Sequence, residues 1–406
     1  MRTDPALRVQ PAARRRHECS SCDGLAARFV TGRRERGLSM VELMVGLAIG
    51  LFLTLGLLVM LAGTSQGYRS QDEFARMQEG GVEAMRYLGD SIRLAGFYGL
   101  SSMQTTRVEL PQPAPSAGQE VDILNDCGSA TNPPAVNWAL PIDLDTTPIG
   151  GAALLNPATV AGAFPCIRPA NFVTGQILVT RGANGIVVRD SAATPGDLTD
   201  ALFNNDTIYV QSNPALGPML FRGGGARLAA LKAAGAGRQI TDSINPPVDA
   251  PIYEYTAHVY YIRPCSRPAT PPDCAATDDE GRPRPTLVRQ QLNGRTMTEV
   301  PLVQGVERIG FLYGIDADND GAPERQSTAP AAADWANVVT VRVGILMRSI
   351  SPRAGFDDSG NRYDLTAGNS PPFTCNPAVA FECQYLRHVF VQTFVVRNTA
   401  GRRGAL

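Results

Sequence analysis

A long run of apolar residues begins at Leu38 and is the first clear pattern along the chain. No charged residue occurs between Leu43 and Gly63, and the apolar run extends back to Leu38 with one acid, Glu42, near its start. At about 1.5 Å per residue, the uncharged part would span roughly 30 Å as a helix, which is enough to cross a bilayer. The apolar core of a signal peptide is shorter, about 7–15 residues, so the run predicts a membrane-spanning helix.

The helical pattern continues beyond the apolar run. Apolar or small residues recur at steps of three or four, with charged residues between them, at Phe74, Met77, Gly81, Met85, Leu88, Ile92 and Ala95. This spacing is typical of one face of an amphipathic helix. We therefore predict one helix over about residues 38–96. The alternative is two helices that break at Gly80 and Gly81, because each glycine costs about 1 kcal/mol relative to alanine.

After Gly99 the composition shifts to proline, glycine, alanine and asparagine, with short apolar runs between turn-rich stretches. Several runs alternate apolar and polar side chains, as half-buried antiparallel strands do. The predicted strands are residues 121–124, 176–181, 185–189, 207–211, 252–262, 286–292, 306–314, 337–348 and 387–397. The expected fold class is α+β, with a long N-terminal α-helix packed on a β-rich, loop-rich C-terminal head. In an alternative, two subdomains divide near 213–250, where residues 226–237 could form a short helix.

The distribution of charge orients the apolar helix. Residues 1–37 contain nine arginines and four acidic residues, and the remainder contains 28 basic and 34 acidic residues. A basic flank before a membrane span stays in the cytoplasm, so everything after about residue 67 is expected outside it. A mildly acidic remainder also argues against nucleic acid as the main partner.

The eight cysteines divide at the apolar run. Cys19 and Cys22 precede it as a single Cys-x-x-Cys without a second pair, which is a weak indication of metal or redox chemistry. An even number beyond a membrane segment predicts disulfides in an oxidising compartment. Proximity along the chain favours pairs within two short, proline-containing loops and leaves one further pair, that is Cys265–Cys274, Cys375–Cys383 and Cys127–Cys166.

The junction of the basic flank and the apolar run carries a specific motif. "RRERGLSMVEL", residues 33–43, resembles the prepilin motif of type IV pilins and type II secretion pseudopilins. In that family a dedicated peptidase cuts after the glycine, the new N-terminal residue is methylated, and the fifth residue of the mature chain is a glutamate. The resemblance implies cleavage between Gly37 and Leu38, N-methylation of Leu38 and an assembly role for Glu42. Leucine at the cut, where most members have phenylalanine, is a departure.

A second resemblance concerns the end of the helix and parts of the head. "YLGDSIRLAGFYG" at 87–99, together with "QILVTRG", "GFLYGID", "VVTVRVGILMRS" and "HVFVQTFVVRN", is similar to segments of the PilW-like minor pilins. This implies a minor pilin near the tip of a type IV pilus that primes assembly and supports motility, adhesion or DNA uptake. The alternatives are a type II secretion minor pseudopilin of the J type and, further away, a membrane-anchored adhesin or enzyme.

The resemblance also implies an organisation, a location and partners. Residues 1–37 would be a cleaved leader, 38–97 a helical stem with a transmembrane segment at about 38–63, and 98–406 an exported head. The chain would be held in the inner membrane by lipid contacts and then built into the cell-surface pilus. Its partners would be other major and minor pilins, the prepilin peptidase and the inner-membrane assembly platform. Because the leader is long, we hypothesise that translation begins at Val30.

One cluster of side chains has the spacing of a cation site. Asp316, Asp318 and Asp320 alternate in "DADNDG" before Gly321, which matches the first half of a calcium loop. The twelfth position of such a loop should be glutamate, but Ser327 stands there. Glu324 at the ninth position could supply a ligand instead. The loop is therefore either a calcium site or a solvated acidic turn, and no other cofactor is expected.

Catalytic chemistry finds little support in the sequence. His258 and His388 fall inside predicted strands, where histidine is more often structural than a base. "GTSQG" at 63–67 has the spacing of a hydrolase elbow, but it follows a membrane helix instead of the strand that such an elbow needs. We expect a structural and interaction protein with no enzymatic activity.

Overall fold

A computed structural model describes residues 39–99, 127, 148–189, 203–212, 219–223, 239–240, 248–249, 251–294 and 296–403. Several predicted features lie outside these residues: the leader with its two cysteines and Val30, Gly37, Leu38, the strand at 121–124 and the helix at 226–237. The chain divides into two units, Met1–Ser65 and Gln66–Leu406, so both sides of 213–250 fall in one unit. The division into leader, stem and head stays a prediction.

The first helix, α1, spans Met40–Leu94 without interruption, so the alternative of two helices is wrong. Its start is capped by Ser39, whose Oγ accepts the backbone N–H of Val41 at 3.3 Å. The helix continues through Gly80 and Gly81 because a side chain fills the space that Gly81 leaves open. A Cβ atom at Gly81 would lie only 2.3 Å from the ring of Phe390. Close packing of this ring on the helix backbone offsets the low helix propensity of glycine.

In the second unit, α1 buries the face that its spacing predicts. The buried positions of this face are Met77, Gly81, Met85, Leu88, Ile92 and Ala95. Phe74 is the exception, because its side chain is 47% exposed and makes only an edge contact with the ring of His388. The buried face therefore begins one helical turn later than predicted.

The described part of the head is mainly antiparallel sheet. Its strands are β1 Ile149–Leu155, β2 Gly175–Arg189, β3 Ile208–Gln211, β4 Met219–Arg222, β5 Gln239–Ile240, β6 Val248–Asp249, β7 Ile252–Arg263, β8 Thr286–Asn293, β9 Thr296–Gln304, β10 Val306–Ile315, β11 Arg325–Ser327, β12 Val338–Arg348 and β13 Arg387–Val395. Two seven-residue helices accompany them, α2 Pro157–Ala163 and α3 Arg397–Arg403, together with a four-residue helical turn at Asp278–Gly281. The predicted α+β class is confirmed.

The strands form two larger sheets and one small one. The seven-stranded sheet has the order β1-β2-β7-β3-β4, with β8 paired to β7 and β9 to β8. The four-stranded sheet has the order β11-β10-β12-β13, and β5 pairs with β6. Every pairing is antiparallel. Long-range pairs such as Leu178 with Tyr260 bring distant segments of the chain together.

Most predicted strands in the described residues agree with the structure to within two residues. The predicted strands at 176–181 and 185–189 are instead one strand, β2, whose register is irregular between Ala183 and Val187. Gly185 within this irregularity has φ of +77°, a conformation that glycine adopts readily. The structure adds strands that the alternation did not indicate, namely β1, β4, β5, β6, β9 and β11.

One hydrophobic core joins α1 to both larger sheets. Leu88 and Ile92 of α1 belong to the same buried cluster as Tyr260 of β7 and as Phe311 and Ile345 of the four-stranded sheet. A second cluster contains Val160 of α2, residues of β2 and β7, and the Cys127–Cys166 disulfide. The helix is therefore a central part of the core of this unit.

The long connection between β12 and β13, residues 349–386, is tied to the four-stranded sheet by charge and by a disulfide. Arg387 is buried, and its guanidinium pairs with Glu307 at 2.6 Å and with Asp358 of the connection at 2.8 Å. Cys375–Cys383 closes a loop within the connection, and Cys265–Cys274 closes another between β7 and β8. The pairing of all six cysteines is the one expected from proximity.

Candidate assembly end and acidic loop

The start of α1 has the dimensions of a membrane span. The segment Met40–Leu61 contains 22 residues, has a mean hydropathy of 2.6 and is not buried by any part of the chain that the structure describes. At about 1.5 Å per residue it is about 33 Å long, close to the hydrocarbon thickness of a bilayer. By length and composition, this segment can cross a membrane.

Glu42 lies in the first turn of α1, and its side chain is exposed. A carboxylate is favourable at this end of a helix, because the unpaired backbone N–H groups there carry partial positive charge. Within the described residues, Glu42 forms no side-chain hydrogen bond or ion pair. Its carboxylate is therefore available to a cation that approaches from outside this part of the chain. Gly37 and Leu38 lie outside the described residues.

The acidic loop connects β10 to β11 as the turn of a hairpin. Ile315 pairs with Arg325 at its base, and the loop extends from Asp316 to Glu324. Asp316, Asp318, Asp320 and Glu324 each direct one carboxylate oxygen into a region where these atoms lie within 4.8 Å of one another. Asp316 is buried and the other three are exposed.

Hydrogen bonds to backbone N–H groups fold this loop. Asp316 accepts from Asn319 at 2.6 Å and from Gly321 at 3.0 Å, and Glu324 accepts from Ala317 at 2.5 Å. Asn319 and Gly321 have φ of +69° and +90°, which lets the chain reverse over a short distance. Carboxylate oxygens arranged in this way are the ligand type that calcium prefers.

Ser327 is not brought into the acidic cluster. It lies in β11 opposite Tyr313, and its Oγ accepts the backbone N–H of Ala329 at 3.1 Å. The structure therefore places Glu324 with the three aspartates and leaves the twelfth loop position outside the group.

The two histidines of the head occupy different surroundings. Burial, together with the nearby Arg289 charge, lowers the pKa of His258 to about 3, so its imidazole is neutral at pH 7. Its Nδ1 lies 3.2 Å from the Oγ of Ser91 on α1. His388 packs edge-on against the rings of Phe74 and Phe390. The contact between Ser91 and His258 cannot be read from the sequence pattern, because the two residues are 167 positions apart.

These features define a class of protein. An apolar helix begins with an exposed glutamate in its first turn, and its later turns pack against antiparallel sheets in the core of a head. That arrangement is an α+β architecture with a membrane-length helix at its start, as the resemblance to pilins leads us to expect.

Comparison with known protein families gives the particular assignment. Residues 260–398 match the family model of the type IV pilus-assembly protein W, and residues 32–58 match the model of the prokaryotic N-terminal methylation motif. No curated protein and no solved structure matches the chain. The two family matches support a PilW-like type IV pilin with a prepilin motif.

The assignment has three consequences at this level of detail. The apolar helix and the prepilin motif indicate anchoring in a membrane. The family is a structural component of the pilus, and it indicates interaction with other pilus components. The motif match covers Gly37, Leu38 and Glu42, although it does not test the role of each residue.

Proposed function

We propose that this protein is a minor pilin that helps to prime assembly near the tip of a type IV pilus. The observation that carries the proposal is the pair of family matches, with a prepilin motif at the start of the chain and a pilus-assembly model over most of its last third. The proposed role is structural, and no catalytic step is part of it. Motility, adhesion or DNA uptake would depend on the assembled pilus.

Glu42 provides the chemical basis of the proposed assembly step. Cleavage after Gly37 would create a new amine at Leu38, four residues from Glu42 and so about one helical turn away. Before assembly, Glu42 would lie near the cytoplasmic interface of the inner membrane, where a carboxylate costs less than at the bilayer centre. In the filament it would pair with the N-terminal amine of a neighbouring pilin stem. The stem would then be held in register by one charge pair among apolar contacts.

The type II secretion pseudopilin is the rival that shares this stem. Both proteins would be processed by a prepilin peptidase and would meet an inner-membrane platform, but they would build different filaments. Neighbouring genes for other minor pilins favour the pilus, whereas neighbouring secretion genes favour the pseudopilus. The match to a pilus-assembly family favours the pilus.

Deletion of the gene, followed by imaging of surface pili, tests the proposal. We expect a strong reduction in surface pili and in twitching motility, and recovery of both when the wild-type gene is restored. Normal piliation and twitching in the deletion strain would contradict the proposal. If piliation were normal and type II secretion were lost, the assignment as a type II secretion pseudopilin would replace the assignment as a minor pilin.

We further propose that the acidic loop at 316–324 binds calcium outside the cytoplasm. The support is the convergence of four carboxylates on one region. The absence of a glutamate at the twelfth position favours weak binding, in the range of about 10⁻⁴–10⁻³ M that is known for extracellular sites. The alternative is a solvated acidic turn that backbone hydrogen bonds alone hold in place.

Calorimetric titration of the full chain in detergent with calcium chloride distinguishes these two states. We expect a saturable heat that Asp316→Ala removes and that the exposed-site variant Asp318→Asn weakens. The matched control is Asp273→Ala, an exposed acid that pairs with Arg168 away from the loop. A wild-type chain without calcium-dependent heat would leave only the acidic turn.

A further inference from the structure

A cavity of about 280 Å³ lies between the last turns of α1 and strands β2, β7 and β8. Its lining combines apolar surface, for example from Leu94, with polar side chains that include Ser91, Asn184, Thr256, His258 and Arg289. Its volume falls just below the range of about 300–1,000 Å³ typical of pockets for drug-sized ligands. The cavity therefore suits a small polar ligand.

Arg289 gives this cavity a positive charge that the described residues do not neutralise. Its guanidinium forms no ion pair with any residue that the structure describes, and its Nη2 donates to the neutral Oε1 of Gln291 at 2.5 Å. Its Nε is buried without a hydrogen-bond partner among the same residues. A second arginine, Arg181, is 3% exposed and lines the same cavity. Confined guanidinium groups bind carboxylate and phosphate oxygens strongly, because their N–H groups fit two oxygens at once.

The carboxylates of Asp90 and Glu254, near the cavity, already have side-chain partners. Asp90 at the rim pairs with Arg93 at 3.4 Å, and its side chain is 59% exposed to solvent. The carboxylate of Glu254 accepts the side-chain amide of Asn184 at 3.1 Å. The charge of Asp90 is therefore partly offset by Arg93, whereas Glu254 keeps its charge and is held in place by a neutral amide.

Some backbone carbonyl groups at the C-terminal end of α1 also have hydrogen-bond donors. The carbonyls of Arg93 and Ala95 accept the side-chain amide of Asn398 at 3.4 and 3.0 Å. The partial negative charge of the helix end therefore opposes an anion in the cavity less than bare carbonyl groups would.

The neutral groups of the cavity are arranged as an anion site requires. The Oγ of Ser91 lies 2.5 Å from the hydroxyl of Tyr260 and 3.2 Å from Nδ1 of His258. Burial and the charge of Arg289 lower the pKa of His258 to about 3, so the imidazole adds no charge at pH 7. A bound anion would face arginine and hydroxyl groups, while Asp90, which also lines the cavity, is paired with Arg93.

We propose that this cavity binds a small oxyanion, either a carboxylate or an inorganic phosphate, with the guanidinium of Arg289 as its principal ligand and the Ser91 hydroxyl beside it. Arg289 is on β8 and Ser91 is on α1, so a bound anion would connect the helix to the seven-stranded sheet. This site is separate from the acidic loop and from Glu42, and it does not depend on the proposed role in pilus assembly.

The experiment is a titration of the full chain in detergent micelles, followed by NMR of the histidine side chains. Inorganic phosphate and acetate are added in separate series at constant ionic strength, with chloride as the reference anion. The His258 signals are assigned with His258→Gln. We expect saturable shifts of the His258 signals with at least one of the two oxyanions and none with chloride. The series that saturates at the lower concentration identifies the preferred oxyanion.

Variants of two charged residues change the affinity in opposite directions. Arg289→Gln removes the positive guanidinium and is expected to weaken binding about tenfold or more. Arg289→Lys keeps the positive charge and is expected to retain part of the affinity. Asp90→Asn removes a nearby negative charge and is expected to strengthen binding about twofold at low salt. The matched control is Arg342→Gln, which changes a half-buried arginine of β12 that does not line the cavity.

Three results would overturn the proposal. One is a linear, unsaturated response of His258 to both oxyanions. Another is an equal affinity in the wild-type chain and the Arg289→Gln variant. The third is a loss of affinity in Arg342→Gln as large as that in Arg289→Gln, since this would show a general effect of removing an arginine.

Discussion

The two ends of α1 contain similar apolar residues but meet different surroundings. In Met40–Leu61 the helix is apolar on all sides, and a residue such as Leu57 is 69% exposed. From Met77 onward most apolar residues form one face, on which Leu88 is fully buried, while Val82 and Leu94 are exposed. The opposite face carries exposed ion pairs between neighbouring turns, for example Arg86 with Glu83.

The difference shows that the distribution of apolar residues around a helix decides what can cover it. A face is sufficient for packing on a sheet, whereas a helix that is apolar all round needs lipid or other apolar helices. The glycines of α1 also differ between its two parts in the space around them. A Cβ at Gly46, Gly50 or Gly56 would meet no atom within 4 Å, but at Gly81 or Gly89 it would meet the ring of Phe390 or Phe394.

The largest expected effect concerns two glutamates of α1, Glu42 in its apolar part and Glu83 in the part that packs on the sheets. Glu42→Ala would still be cleaved after Gly37, but it would lose the proposed charge pair with a neighbouring amine. Loss of one partner of a buried charge pair costs about 2–5 kcal/mol, so incorporation into pili should fall tenfold or more. Glu83→Ala is the control, because Glu83 is paired with Arg86 on the helix surface. Immunoblots of sheared pili measure both, and equal incorporation would exclude the pairing role of Glu42.

The second prediction compares leucine at the two ends. Leu88→Ala should destabilise the second unit by about 2–5 kcal/mol, because it leaves a cavity in the core shared with both sheets. Leu57→Ala should leave the unfolding of that unit unchanged. Urea unfolding of each full chain in detergent, followed by aromatic fluorescence, measures the difference. Equal midpoints would mean that the second part of α1 is not a core element.

The sequence predicts the elements whose pattern is long and regular. The stripe from Met77 to Ala95 and strands such as β12 repeat their period over many residues, so chance alternation is improbable. β1 was missed because "IGGAALL" has two glycines, which disfavour a strand, although at Gly151 the missing side chain allows close approach to the carbonyl of Ile177. β9 was missed because Pro301 interrupts it, which is tolerated because β9 pairs with β8 alone among the described strands.

The candidate sites also differ in how far apart their residues lie along the chain. The acidic loop was visible because its ligands are close together along the chain. The cavity around Arg289 was not visible, because the contact of Ser91 with His258 depends on the packing of α1 on β7. The same holds for Arg387, whose partners Glu307 and Asp358 are 80 and 29 residues away. Alternation of apolar residues carries no information about which distant charged side chains will meet.

The third prediction compares glycine at the two ends. Gly81→Ala should push the new methyl group into the ring of Phe390, with an overpacking cost of about 1–3 kcal/mol. The gain in helix propensity offsets about 1 kcal/mol of this cost, which leaves a net destabilisation of up to about 2 kcal/mol. Gly50→Ala is the matched control, because its new methyl group meets no neighbour in the described structure. Urea midpoints that change equally in both variants would contradict the proposed role of close packing.

The smallest expected effect concerns Glu73, just before the buried face begins. Partial burial raises the pKa of its carboxyl above the ordinary value of 4.5, although the nearby Arg353 acts in the opposite direction. The folded chain therefore holds this proton to higher pH than the unfolded chain does. The contribution of this carboxyl to stability is therefore fully present below pH 4.5 and is lost as the pH rises through the raised pKa.

Glu73→Gln removes this dependence. The variant should match the wild-type chain near pH 4 and be slightly more stable at pH 7, as measured by thermal unfolding across this range. Asp72→Asn is the control, since Asp72 is an exposed neighbour that pairs with Arg76 at 3.0 Å, and its replacement should not stabilise the chain at pH 7. A Glu73→Gln variant that is less stable than wild type at pH 7 would mean that attraction to Arg353 outweighs the cost of burial. The buried face of α1 would then begin with a favourable charge contact, and the boundary between its two ends would lie before Glu73.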